Sequence, residues 1–239
     1  MITELPAPTS AGALLVFGFL LGLRHATDAD HVAAVATIVA RERTWRAAGA
    51  IGIAWGVGHS LTVLVAGAAI LGFGLTLPSA FDRLTEAAVG VMLLALGALA
   101  LRGANPTLPH HSPPIGTQTP SRVRRQRDVR VHHLIIASRT LRHLRSLGVG
   151  IVHGLAGSAG IALLAVPMLR TPLHGVAYLA LFGVGTVLGM LVLTVAMALP
   201  LVVRWRGAEG LARGCSRLAG VASLATGLVM LLGALGRTR

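Results

Sequence analysis

The 239 residues are 54% apolar and only 12% charged, a balance that excludes an ordinary soluble domain and places the chain in a bilayer. The net charge of +13 comes from arginine alone, and the basic central loop lacks aromatic interleaving, which argues against a nucleic-acid surface. A single cysteine, Cys215, excludes both an intrachain disulfide and a thiolate metal centre.

Apolar runs of spanning length predict an all-α fold: a polytopic membrane helix bundle with six transmembrane helices, at about 12–40, 47–72, 85–102, 147–169, 175–203 and 217–235. The segment ahead of the first run carries Glu4 and no basic start, so it does not read as a cleaved signal peptide. The first run itself is too long for one straight helix. About 29 residues at roughly 1.5 Å each overshoot a hydrocarbon core of about 30 Å, so it is expected to tilt or to break.

Inside that run sit Arg24, His25, Asp28, Asp30 and His31. A charge at the centre of a membrane helix costs about 2.5–3.5 kcal/mol on insertion scales, so these groups must neutralise one another or hold something. His and Asp side chains are ligands for first-row divalent metals. On a regular helix, His25, Asp28 and His31 drift across an arc of about 120°, and a local tightening or break would let them converge. Asp30 points elsewhere, free to pair with Arg24 or to orient a histidine. A proton relay and an Arg24–Asp28 structural pair are the competing readings of the same residues.

In the second span, Gly56-Val-Gly-His-Ser60 offers His59 from a small-residue surface; the alternative is a histidine that hydrogen-bonds between helices. The third span opens near Asp82 and Glu86, favourably placed at a helix N-terminus. From Gly103 to about Ser146 runs a basic linker with His110, His111, His132 and His133, either a flexible connection or a metal-sensing loop. Its second half could lie on the membrane as an amphipathic helix through Leu134, Ile135, Leu141 and Leu144. The fourth span contains His153-Gly-Leu-Ala-Gly-Ser-Ala-Gly160, a metal-ligand candidate or a satisfied interhelical histidine in a stretch built for close approach or unwinding.

The linker divides the chain into 1–102, a first three-helix half carrying the cluster; 103–146, the linker; and 147–239, a second three-helix half. The halves align weakly. Gly22-Leu-Arg-His25 falls on Gly150-Ile-Val-His153, and Gly56-Val-Gly-His59 on Gly183-Val-Gly-Thr186. With three spans each they would be inverted in the membrane, a 3+3 repeat of the kind found in secondary transporters. Arginine crowds the first, third and fifth loops, which by positive-inside bias are cytoplasmic, with both termini outside a multi-pass plasma-membrane protein. Lipid headgroups are the expected partner of these arginines, and a homo-oligomer is left open.

Arg24-His-Ala-Thr-Asp-Ala-Asp-His31 resembles the H-x4-D-H signature of the nickel/cobalt transporter (NiCoT) superfamily, and Gly58-His-Ser60 resembles its second histidine motif. The match covers roughly residues 20–65. Beyond it the likeness is one of hydropathy, six-span layout and basic central loop. The permeases of that superfamily carry acidic residues in a later span; His153 to Ala165 has none, which resembles the shorter urease-accessory-like branch. The resemblance implies that His25, Asp30 and His31 recognise Ni²⁺ or Co²⁺.

The resulting metal-site set is His25, Asp28, Asp30, His31, His59 and His153, supported by Arg24 and Ser60. The function expected is secondary transport of Ni²⁺ or Co²⁺, by uptake, with the metal as substrate and no permanently bound cofactor. Efflux on the same scaffold is the alternative. An intramembrane metalloenzyme is a third reading, weakened by the lack of an H-E-x-x-H pair.

Overall fold

The computed structural model describes residues 11–39, 42, 44–74, 78–103, 140–155, 171–202 and 208–236, and among these there are seven helices and no strand. They are α1 (Ala11–His25), α2 (Ala29–Val39), α3 (Trp45–Phe73), α4 (Ser79–Gly103), α5 (140–155), α6 (Pro172–Val202) and α7 (Ala208–Gly236). Four of them, α3, α4, α6 and α7, contain stretches long and apolar enough to cross a bilayer. The chain is a polytopic membrane helix bundle. Large apolar side chains such as Phe17, Leu61, Val65, Val192, Val229 and Leu232 are exposed along the outward helix faces, where hydrocarbon rather than water is the compatible solvent.

The first span breaks where its polar residues fall. Thr27 N–H donates to Arg24 O at 2.8 Å and Asp28 N–H to His25 O at 3.1 Å, so the last turn of α1 tightens to three-residue spacing. Regular four-residue bonding resumes with Val32 N–H to Asp28 O at 3.0 Å. Thr27 Oγ1 donates to Arg24 O at 2.6 Å, helping to cap the carbonyls that the break releases. A span of two short helices joined by this link delivers His25 at the end of one and His31 at the start of the other.

Other boundaries have similarly local causes. Thr44 caps α3 by accepting from Ala47 N–H at 3.2 Å. Gly74, at φ 61°, closes α3 in the left-handed conformation and donates to Ile70 O. Helix α5 is already formed at residue 140, inside the segment expected as linker, and Leu141 and Leu144 on its first turns are exposed. The loop histidines His110, His111, His132 and His133, and the rest of the fourth span beyond 155, lie outside the described residues.

Helix α3 packs along α6, α4 along α7, and α1 along α6, while α2 lies against α7 and α4. The closest approaches fall at glycines and occur in matched pairs. A Cβ on Gly22 would collide with Phe182 O and crowd Thr186 N; one on Gly150 would collide with Trp55 O and crowd His59 N. Likewise Gly185 meets Phe19 O and Leu23 N, as Gly58 meets Leu147 O and Ile151 N. Under the weak sequence alignment each contact maps onto its partner, so α1 sits on α6 as α5 sits on α3. The α4–α7 pair repeats the pattern, with Gly90 against Gly227 O and Gly97 against Gly220 O. Two halves that make the same contacts with roles exchanged are the packing expected of an inverted repeat.

Two apolar clusters fill the interior. One gathers Val35, Val39, Trp55, Leu93 and Met190; the other gathers Val63, Tyr178, Leu179 and Phe182. The polar cluster lies beside both, with His25 against Phe182 and His31 against Trp55.

Candidate metal centre

Four histidines converge from four helices. His25 ends α1, His31 starts α2, His59 stands midway along α3 and His153 lies on α5. His31, His59 and His153 are fully buried, and His25 is nearly so. The ring centroids of His25 and His31 are 4.6 Å apart, those of His31 and His153 4.2 Å, and those of His31 and His59 5.3 Å. Trp55 stacks on His31 at 6.2 Å and also flanks His153, while Phe182 closes the His25 side at 5.4 Å.

The carboxylates set the ring orientations. Asp28 Oδ2 accepts from His25 Nδ1 at 2.7 Å. Asp30 serves two rings, accepting from His31 Nδ1 at 3.2 Å through Oδ1 and from His153 Nε2 at 2.8 Å through Oδ2. It also accepts from the His31 backbone N–H at 2.9 Å. An ionised carboxylate can only accept, so each nitrogen facing it carries the proton and the opposite nitrogen keeps a lone pair. That leaves lone pairs on His25 Nε2, His31 Nε2 and His153 Nδ1. His25 Nε2 meets His59 Nε2 at 3.2 Å, a contact in which His59 donates and retains its own lone pair on Nδ1.

Buried lone pairs without partners are costly. Among the described residues, His31 Nε2, His59 Nδ1 and His153 Nδ1 are buried with no hydrogen-bond partner. Neutral imidazoles backed by carboxylates, with their free nitrogens turned inward, have the donor chemistry of a transition-metal site. Two groups have ligand atoms that all lie within 4.8 Å of one another: His25, His31 and His59, and Asp30, His31 and His153. Asp28 and Asp30 together supply two negative charges, matching one divalent cation.

The structure thus brings together His25, Asp28, Asp30, His31, His59 and His153. It does not bring in the two residues expected to support them. Arg24 is exposed, and the carboxylates that could have paired with it are turned to histidines. Ser60 donates to Gly183 O at 3.0 Å, tying α3 to α6 through a backbone carbonyl rather than orienting a ligand. Trp55 and Phe182 wall the site although neither belongs to the ligand motifs. Trp55 lies one turn before His59 on the same face of α3, a spacing that could have flagged it.

The urease accessory protein UreH from Bacillus sp. (strain TB-90) is 34% identical to this chain over 195 residues, covering 81% of the chain and 80% of that relative. The chain belongs to the nickel/cobalt transporter superfamily. No family model matches it, and no solved structure matches it. As a member of this superfamily the chain is a multi-pass membrane protein of the nickel/cobalt transporter type, and its buried histidine–aspartate cluster is of metal-binding character.

Proposed function

We propose that this protein is a secondary transporter that carries Ni²⁺ or Co²⁺ into the cell, with the His/Asp cluster as the cargo site. The observation that carries the reading is the cluster of four buried histidines with two carboxylates. His59 stands midway along α3, the depth at which inverted-repeat transporters bind their substrates. Cargo entering the cluster exchanges water for imidazole nitrogens, and Asp28 and Asp30 balance its charge.

Alternating exposure would come from one half rocking against the other about the glycine-lined α1–α6 and α3–α5 contacts. The sequence contains no nucleotide-binding motif, so the driving force is an ion gradient or the membrane potential. An inward doubly charged ion gains about 4.6 kcal/mol per 100 mV. The arginine-rich loops belong on the cytoplasmic side against anionic lipid, with both termini outside the plasma membrane. In this reading the metal is substrate and the protein is not an enzyme. The relative is named a urease accessory protein, which supports nickel as cargo and the urease-accessory-like branch as this chain's place.

The test is cell-associated nickel and cobalt, measured by mass spectrometry at trace external metal in cells expressing wild type or His31→Ala. Accumulation that disappears in the variant supports import. Depletion that disappears in the variant makes the protein an exporter. Equal metal in both, with both proteins in the membrane, ends the transport reading.

A further inference from the structure

The weak alignment that sets Gly56 on Gly183 also sets Trp55 on Phe182, and the two rings hold matching places. Both are fully buried. The Phe182 ring lies 5.4 Å from His25, and the Trp55 ring lies 5.8 Å from His153, the histidine that the same alignment sets on His25. Behind each ring the backbone is held alike, with Phe182 O against Gly22 and Trp55 O against Gly150. Helices α3 and α6 are antiparallel, since Gly52 faces Met190, Gly56 faces Val187 and Ser60 faces Gly183. That register sets Phe182 level with Leu61 of α3, about 9 Å beyond Trp55 along the axis. His59 lies between those two levels, so the rings close the cluster at opposite ends.

We infer that Trp55 and Phe182 are the two gates of the cargo site, and that each opens the cluster to one side of the membrane while the other stays shut. This rests on the transport reading above and specifies how its site is reached. Each ring belongs to its own apolar cluster, Trp55 with Val35, Val39 and Met190, and Phe182 with Val63, Tyr178 and Leu179. A hydrated cation cannot cross close-packed apolar side chains without losing its water to nothing in return. Access to the histidines therefore requires that one of the two clusters part.

Each cluster also contains a polar atom that the closed state leaves unsatisfied. Among the described residues, Trp55 Nε1 is buried without a hydrogen-bond partner at one end, and the Tyr178 hydroxyl, one turn from Phe182, at the other. Burying such an atom is costly, and the cost disappears when water reaches it. Opening on either side is thus favoured by the group that lies behind that side's ring. The moving parts are the helix pairs that hold the rings: α1 against α6 for Phe182, and α5 against α3 for Trp55. Water admitted past Phe182 meets His25 first, and water admitted past Trp55 meets His31 and His153.

The experiment reads access to the cluster from each side of the membrane. In the full-length chain carrying Cys215→Ser, His59→Cys places a single thiol between the two rings, and a membrane-impermeant methanethiosulfonate is applied to intact cells or to inside-out vesicles. Labelling of this parent is expected to be slow from both sides. Phe182→Ala is expected to speed labelling about tenfold or more from one side only, and Trp55→Ala from the other, because truncation releases an open state otherwise populated at about 0.1–10%. Phe182→Leu and Trp55→Leu retain more of the packing and are expected to give the same sidedness with smaller increases, which keeps the test decisive if an alanine variant fails to fold. Faster labelling from both sides in each variant, from the same side in both, or in neither, would overturn the gates. Such a result with a wild type that accumulates or expels metal in cells defeats this inference and leaves transport standing. One-sided labelling as expected, in a protein whose wild type moves neither Ni²⁺ nor Co²⁺, defeats the transport reading instead.

Discussion

Asp30 Oδ2 accepts from His153 Nε2 at 2.8 Å, joining positions 123 residues apart, while Oδ1 of the same carboxylate holds His31. One side chain therefore orients two rings from opposite halves of the molecule. Carboxylates behind metal-ligating histidines fix their tautomer and raise their basicity.

Asp30→Asn tests that role with little change in volume. The amide offers one acceptor in place of two, so one of His31 and His153 must turn or move its proton onto the nitrogen that would otherwise hold metal. Affinity for Ni²⁺ or Co²⁺ is expected to fall by about 10–100-fold, the usual cost of losing such a partner. Asp28→Asn is expected to fall less, because the Asp28 side chain is 41% exposed and water can replace part of its role. Equilibrium dialysis of the two purified variants checks the order; an equal or reversed order would return Asp30 to a merely electrostatic part.

The repeated glycine contacts make a paired stability prediction. Alanine at Gly22 or Gly150 drives a methyl group into a facing carbonyl oxygen, Phe182 O or Trp55 O, and neither backbone can yield without separating the helices. Each substitution is expected to destabilise by about 1–3 kcal/mol, as overpacking does. Gly148→Ala, on α5 with nothing within 4 Å of the new methyl, is expected to be neutral or slightly stabilising. Thermal melts in detergent compare the three. If Gly22→Ala and Gly148→Ala melt alike, the close packing of α1 on α6 is not as described.

These contacts also mark what could be read from the sequence and what could not. The four long spans of α3, α4, α6 and α7, and the break in the first apolar run, were legible because hydrophobic length and misplaced charge are local signals. His25 and His31 could be proposed together because one motif joins them, and His59 because a second motif follows in the next span. The reciprocal glycine packing was visible only as a faint alignment of Gly22 with Gly150, since common small residues carry little information one at a time. Arg24 was misjudged for the opposite reason. Its place in the motif suggested a partner, but the tightened turn at Thr27 and Asp28 aims the carboxylates at histidines and leaves the guanidinium exposed. Nothing in the sequence could show that Asp30 bridges His31 to His153, because that contact depends on how α5 docks.

At one end of the bundle, Glu42 between α2 and α3 meets Arg142 of α5 at 3.5 Å, with the Glu42 side chain only 7% exposed. Arg142→Ala leaves a buried carboxylate without its ion-pair partner, which costs more than the pair itself contributes. Because Arg142 is itself nearly half exposed, the expected loss is about 1 kcal/mol rather than the full cost of breaking a buried pair. Adding Glu42→Gln to Arg142→Ala is expected to recover part of that loss. Apparent melting temperatures of the single and double variants check it: a double variant no more stable than Arg142→Ala would mean that the carboxylate is well solvated where it lies.

Trp55 supplies an optical report on the site. Its indole is fully buried, stacks on His31 at 6.2 Å and 23°, and lies 5.8 Å from His153. A paramagnetic Ni²⁺ or Co²⁺ held by His31 therefore sits within a few ångströms of the fluorophore, close enough to quench it. With Trp45 and Trp205 replaced by Phe, emission comes from Trp55 alone, and it is expected to fall as metal is added and to saturate with binding. In the same background His31→Asn is expected to abolish the saturable quenching. Trp55→Phe keeps an aromatic face against His31 and is expected to hold metal affinity within a few-fold of wild type. Trp55→Ala opens a cavity beside His31 and His153, costs about 3–5 kcal/mol of stability, and frees both rings to turn. If metal left the emission of Trp55 unchanged while dialysis showed it bound, the ion would be held somewhere other than against His31.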